Sequence, residues 1–320
     1  MKKLIVLLLF AVGSLSAKEF GQVATSGAQF LKINFDPRAS ALGYAAASMV
    51  NNASAVYTNI AGTSFIQNAD VAFTYQPWFA DIKMMSAAGA YRFEGIGVFS
   101  LSFSGFNTDE EITTVELPNG TGERYSISNM IIGVGFSRSV MENLIVGFQA
   151  KYYHESYYAH SASAIAFDIG TNYALGFAGS HIALVLQNFG PNIQALGGEY
   201  SDYSDNNVSK SFSDAPLPVT FRASFSSEPI VGDDYRVRVS MDLVHPNDNT
   251  EHYNIGGEVI LMDAIAVRGG LKLNYDDESF AAGIGLDGSK VLGTGVRLDY
   301  SYEQFKVLPA IQKVTLGYTF

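Results

Sequence analysis

The chain has no cysteine. That excludes a disulfide framework, a thiolate metal site and a lipid-modified cysteine anchor. Basic residues are scarce: 20 Lys and Arg stand against 31 Asp and Glu, for a formal net charge of −11. With no basic stripe to neutralise phosphates, nucleic acid is not expected as a partner. The five histidines are scattered without a zinc-ligand spacing. No nucleophile elbow, HExxH pair or phosphate-cradling glycine loop occurs. The acidic turns Asp233-Asp234 and Asp276-Asp277-Glu278 lack the spaced oxygen ligands of a calcium loop. The chain therefore reads as non-enzymatic, with no cofactor expected. Long apolar runs are missing too, because residues 4–12 are too few to span a bilayer.

Against these absences stands a hydrophobic content of 48%. Without a spanning helix, such content belongs either to one large soluble core or to membrane strands. The 31 glycines and the 18 Tyr and 22 Phe, against a single Trp, favour strands. At the start, Lys2 and Lys3, the apolar residues 4–12 and the small residues 13–17 have the order of a Sec-type signal peptide. Residues 1–17 are assigned to that signal, 18–70 to an N-terminal plug and 71–320 to a barrel. The plug stretch is rich in Ala, Ser and Asn, and residues 38–56 could form one short helix.

After Asp70 the dominant pattern has period two. In the last strand Val314, Leu316, Tyr318 and Phe320 are apolar, while Lys313, Thr315, Gly317 and Thr319 are small or polar. Other segments repeat this pattern, and the charges in them fall off the apolar face. They are Lys151, Asp168, Arg222, Arg236, Arg238, Asp242, Glu258, Arg268, Lys272, Arg297 and Asp299. A charge facing lipid at mid-bilayer costs roughly 2–4 kcal/mol, so this segregation suits a membrane barrel. Half-buried strands of a soluble sandwich also alternate. Three features favour the barrel. Many segments reach about ten residues, enough to cross tilted. Tyrosines cluster at strand ends (Tyr152, Tyr153, Tyr157, Tyr158, Tyr275, Tyr300, Tyr302), as interfacial girdles do. Connections alternate between tight turns and long polar loops.

The expected fold is an all-β transmembrane antiparallel barrel of about fourteen strands, lodged in a bacterial outer membrane and in contact with its lipid. The strands begin near positions 71, 84, 96, 126, 144, 162, 181, 217, 235, 252, 264, 280, 294 and 313, and residues 111–117 stay in a loop. The inward charges mix signs and read as a lumen ion-pair network holding the plug, or as a polar conduit. The longest outer loop, residues 192–214, carries Glu199, Tyr200, Asp202, Tyr203 and Asp205 as candidate partner contacts, and residues 107–124 form a second candidate loop.

Several stretches, in order, resemble the PorV/PorQ outer-membrane proteins of type IX secretion, relatives of FadL-type fatty acid transporters. They are Gly27-Ala28-Gln29-Phe30-Leu31-Lys32-Ile33, Pro37-Arg38-Ala39, Leu42-Gly43, Asn52-Ala53-Ser54-Ala55-Val56-Tyr57 and Asn59-Ile60-Ala61-Gly62. Gln187-Asn188-Phe189-Gly190-Pro191, Ala215-Pro216-Leu217-Pro218, Asp242-Leu243-Val244-His245-Pro246 and Leu316-Gly317-Tyr318-Thr319-Phe320 follow. One departure is Ile60, where the family typically carries proline. The resemblance implies a fourteen-strand barrel with an N-terminal plug. It also implies a non-catalytic role in which the barrel binds secreted cargo proteins or tethers a surface or secretion-system protein. The alternative is a FadL-like transporter of hydrophobic small molecules such as long-chain fatty acids. That reading expects an apolar pocket near Phe30, Phe35 and Phe65, and a lateral opening at a kink in Tyr75-Gln76-Pro77-Trp78, because proline lacks a ladder donor.

Overall fold

The computed structural model describes residues 25–320 apart from 112, 158–159, 197–198, 203–207, 212–213 and 292. The signal-peptide assignment at 1–17 lies outside the described residues. The strands are β1 (Ala69–Pro77), β2 (Lys83–Phe93), β3 (Gly97–Glu111), β4 (Arg124–Met141), β5 (Leu144–Tyr157), β6 (His160–Ala174) and β7 (His181–Phe189). Three short pieces follow in the long connection: β8 (Gln194–Leu196), β9 (Glu199–Asp202) and β10 (Val208–Ser211). The rest are β11 (Thr220–Val231), β12 (Tyr235–Pro246), β13 (His252–Leu261), β14 (Ile265–Leu273), β15 (Glu278–Asp287), β16 (Val296–Phe305) and β17 (Ile311–Thr319).

Sequence neighbours pair antiparallel. β1 pairs with β17, β7 pairs with β11 across the long connection, and the β5–β6 ladder completes the ring. The result is a closed fourteen-strand antiparallel barrel, to which β8 adds a short extension on β6. Closure leaves no sheet edge around the wall, the condition for a sheet that crosses hydrocarbon. Every strand start falls within three residues of its expected position.

The two faces of the wall are inverted relative to a soluble protein. Phe73, Leu101, Val134, Ile169, Met241, Val267 and Leu316 are exposed, while Thr74, Ser102, Gln149, Asp242, Arg268, Lys272 and Lys313 are buried. In β14 exposure alternates residue by residue, with Val267 and Leu271 out and Arg268 and Lys272 in. Burying the ionic register and exposing the greasy one is favourable only when the surrounding solvent is apolar.

Two expectations change. Residues 38–56 are not one helix. A single α-turn, Pro37–Ala41, ends where Gly43 and Tyr44 both take positive φ of 63°, and two 3-10 turns follow at Ala53–Tyr57 and Ile60–Phe65. Successive left-handed residues cannot continue a right-handed helix. Among the girdle tyrosines, Tyr152 and Tyr157 are exposed, but Tyr153 is fully buried in the lumen and bonds Glu155. Tyr275 also turns inward and stacks on His252, with ring centroids 4.0 Å apart.

Candidate functional site

Residues 25–68 thread the lumen. Short polar side chains shape the path. Asp36 caps the α-turn by accepting from the Arg38 backbone N–H at 2.9 Å, and Asn52 and Asn59 cap the two 3-10 turns. Such caps satisfy donors that would otherwise be buried unpaired. Ile60 stands at the first position of its turn, where proline also fits because that N–H needs no helical partner.

Two glycine cradles seat this segment on opposite walls. On β14 and β15 a Cβ at Gly270 would lie 2.1 Å from the Gly43 nitrogen, and one at Gly283 would lie 2.5 Å from the Ala41 side chain. On β5 and β6 a Cβ at Gly147 would meet the Ala61 nitrogen at 2.7 Å, and one at Gly170 the Asn59 side chain at 2.0 Å. Only glycine permits the backbone and short side chains of the inner segment to approach the wall this closely.

Between the cradles, ion pairs tie the segment to the wall. Arg38 donates from Nε and Nη2 to both oxygens of Glu258, at 3.1 and 2.9 Å. Glu258 also accepts from Arg268, which donates onward to Asp299 at 2.5 Å, and Arg238 approaches it at 3.6 Å. Asp242 faces Arg222 at 3.5 Å and accepts from the Ala47 backbone, while Arg222 donates to the Tyr44 carbonyl at 2.9 Å. Lys151 pairs with Asp168 at 2.8 Å and with Asn188. Lys272 and Lys313 share Glu303 at 2.8 and 2.6 Å. Arg297 holds Asp70, and Arg236 reaches Asp263 at 2.5 Å toward the short-turn rim.

All eleven inward charges named from the sequence therefore lie on the lumen side, in several separate groups. Arg38, Asp70, Glu303 and Lys313 complete these groups and are not among those eleven. Lys313 and Glu303 were legible as the polar register of the last two strands. Asp70 stands in the buried register of β1 with Ala72, Thr74 and Gln76, whereas Arg38 precedes the alternating region and no period marked it.

A cavity of about 350 Å³ lies between the inner segment and the wall at the end carrying the long loops. Leu31, Ile33, Tyr57, Val244, Phe305 and Leu308 form its apolar side. Arg222, His252, Tyr275 and Glu278 form a polar side. The expected pocket at Phe30, Phe35 and Phe65 is not there. Phe30 and Phe35 pack edge-on at 5.9 Å in a filled cluster with Phe106, Tyr57 and Leu217. Phe65 sits beside His181 near a different cavity, of about 210 Å³. A further cavity of about 380 Å³, at the short-turn end, is walled by Arg38, Arg238, Glu258, Arg268 and Asp299.

Pro77 does not kink β1 away from β2, since the two remain in register to Pro77↔Lys83. The interruption is on the other side. The β1–β17 ladder stops at Tyr75↔Val314, although β1 runs on to Pro77 and β17 starts at Ile311. The turn beyond β1 has positive φ at Ala80 and Asp81, and its Phe79 ring packs edge-on against Phe305 at 5.4 Å. A wall residue of the cavity thus packs on the turn just beyond the end of the ladder.

The overall architecture has known counterparts. The toluene transporter TbuX of Ralstonia pickettii superposes over 90% of this chain and 98% of its own, with a TM-score of 0.56 at 12% identity. A Pseudomonas aeruginosa FadL homologue covers 89% and 98% with a TM-score of 0.56 at 10% identity. The toluene transporter TodX of Pseudomonas putida covers 89% and 96% with a TM-score of 0.53 at 10% identity. The fold is that of FadL-type outer-membrane barrels. No protein-family model matches the sequence, and no curated protein matches it.

Of the loop candidates, Tyr203 and Asp205 lie outside the described residues. The backbone of Tyr200 and Asp202 runs in β9, paired with β10. The Asn107–Arg124 candidate begins on the extended β3–β4 hairpin, which continues to Glu111↔Arg124 after β2–β3 pairing has ended at Met85↔Gly105.

Proposed function

We propose that this chain is an integral outer-membrane transporter. It takes hydrophobic small molecules, such as long-chain fatty acids, into the cavity at its long-loop end and releases them sideways between β1 and β17. One observation carries the reading: Phe305, which lines the cavity, packs on Phe79 in the turn just beyond the end of the β1–β17 ladder. The cavity volume falls within the usual range of ligand sites, roughly 300–1,000 Å³. Pro77 offers no N–H for continuing the ladder, so parting the strands there costs fewer hydrogen bonds. The axial route is unfavourable for an apolar solute, because it crosses the seated inner segment and then a cavity walled by paired charges. The fold likeness to two toluene transporters and a FadL homologue supports the same choice. Of the 18–70 plug, residues 18–24 lie outside the described residues; residues 25–70 act as the plug of this barrel, and the inward charges hold it.

The test is uptake of a labelled long-chain fatty acid by cells lacking their own transporter. Expression of this protein raises uptake, and Phe305→Trp, which crowds the side route, lowers it at least fivefold at equal surface amount. Equal uptake with and without the protein contradicts the reading.

A second reading is PorV/PorQ-like docking of secreted cargo or a surface protein on the long loops, with Tyr200, Asp202, Tyr203 and Asp205 as contacts. One observation favours it. Arg38, Leu42-Gly43 and Asn59-Ile60-Ala61, from the stretches that carry the resemblance, are residues that fasten the inner segment to the wall. Affinity purification from outer membrane separates the two. Stoichiometric large proteins support docking, and co-purifying hydrophobic small molecules support transport.

A further inference from the structure

One acidic side chain gathers several residues of the outermost described part of the inner segment. Asp248, in the turn between β12 and β13, is buried and accepts from three inner-segment residues. Lys32 Nζ lies 2.8 and 2.9 Å from its two oxygens, Gln29 Nε2 donates at 2.9 Å, and the Ser26 hydroxyl donates as well. The adjoining Asn247 donates from its backbone to the Val219 carbonyl and from its side chain to the Leu217 carbonyl, both at 2.9 Å. Gly27 in turn donates to the Pro216 carbonyl at 2.9 Å. One turn therefore fastens the start of the inner segment to the long β7–β11 connection.

The fastened stretch is under conformational tension and covers the cavity. Ala28 stands at φ 50° and ψ 40°, a left-handed conformation that L residues with a Cβ avoid. Leu31 and Ile33 line the cavity, and Phe30 packs on Phe106 at 5.6 Å. Residues 26–33 touch none of the four cradle glycines on the wall, although Gly27 itself packs closely on Ile193 and Ala215 of the β7–β11 connection.

We propose that residues 26–33 are a flap over the cavity and that Asp248 is its latch. Releasing this carboxylate frees the flap and opens the cavity toward the long-loop end, while residues 36–66 stay seated. The mechanism requires the charged carboxylate, since a charge-assisted bond to Lys32 is about twice as strong as a neutral one. Burial pushes the Asp248 carboxyl upward, but hydrogen bonds from Gln29, Lys32 and Ser26 and the Lys32 charge hold it below its ordinary range. Its contribution is therefore present above the unfolded aspartate range and is lost as pH falls through the folded value. Other charged or titratable groups facing this region are His252, Arg222, Tyr44, Tyr57 and Tyr275, the exposed His245–Glu251 pair, and Asp276, Asp277 and Glu278 across the cavity. The inference does not depend on what the cavity takes.

Amide hydrogen exchange on the purified barrel in detergent micelles tests it without any ligand. In Asp248→Asn, residues 26–32 are expected to exchange at least tenfold faster than in the parent, with residues 37–41 unchanged. Lys32→Gln, at a half-exposed position, gives the same local pattern and serves if the first variant assembles poorly. Acidifying the parent, with intrinsic rates corrected, reproduces the local loosening, and Asp248→Asn gains nothing more. Unchanged exchange at 26–32 in the assembled variants, or loosening shared equally by residues 37–41, overturns the latch.

Discussion

Residues 36–66 and residues 25–34 belong to one continuous segment in one lumen, yet different physics holds them. The deep part is locked by backbone-to-backbone approach at glycine and by buried charges with several partners each. The outer part rests on aromatic packing, a few backbone bonds and one carboxylate. Altering a deep contact forces a clash at a glycine or strips a buried charge of one of its partners. Losing the outer carboxylate leaves groups that water can reach. The difference teaches where this barrel can move: at the long-loop end, beside the cavity, and not along its axis.

The comparison breaks most severely at Gly270. Gly270→Ala forces a methyl onto the Gly43 backbone, which cannot yield like a flexible side chain. The expected cost is about 3 kcal/mol, at the upper end for overpacking. Urea unfolding and the heat-dependent gel shift of the barrel would read it. Its neighbour Gly269 points to the other face, where an added Cβ meets nothing within 4 Å, so Gly269→Ala stays within about 0.5 kcal/mol. Similar losses at these adjacent glycines would mean that the cradle is not what seats the segment.

Arg38→Ala is next. It strips Glu258 of its bidentate partner in a buried site, where breaking a pair costs about 3–5 kcal/mol, and Arg268 keeps the loss near the lower figure. Arg38→Lys recovers part of it, because a single ammonium cannot reproduce the fork. A change below about 0.5 kcal/mol in either variant would remove the charge network from the account of the deep seat.

The barrel was legible because a membrane strand must segregate its faces completely. In β14, Arg268 and Lys272 opposite Val267 and Leu271 give strand, register and lumen side at once. The inner segment was not legible to the same degree, since its geometry comes from contacts with residues far along the chain. Nothing in Leu42-Gly43 announces Gly270, and a run of small residues reads as helix until Gly43 and Tyr44 are found at positive φ. The cavity was misplaced for the same reason. Phe30 and Phe35 are large and apolar, but in this lumen they fill space, and the open volume lies beside smaller neighbours, Leu31 and Ile33. Asp248 sits in a turn that reads as a compact loop, and its three donors come from the opposite end of the sequence.

The central claim is that hydrophobic molecules occupy the cavity beside the β1–β17 junction. The only tryptophan of the chain, Trp78, stands at that junction with its ring 5.0 Å from Phe79. Fluorescence quenching of Trp78 by a dibrominated long-chain fatty acid, in the purified barrel, is the most direct measurement. The account predicts saturable quenching that an excess of the unbrominated acid reverses. Quenching that rises linearly with the brominated acid and ignores the competitor would report only partitioning into the micelle, and would contradict it.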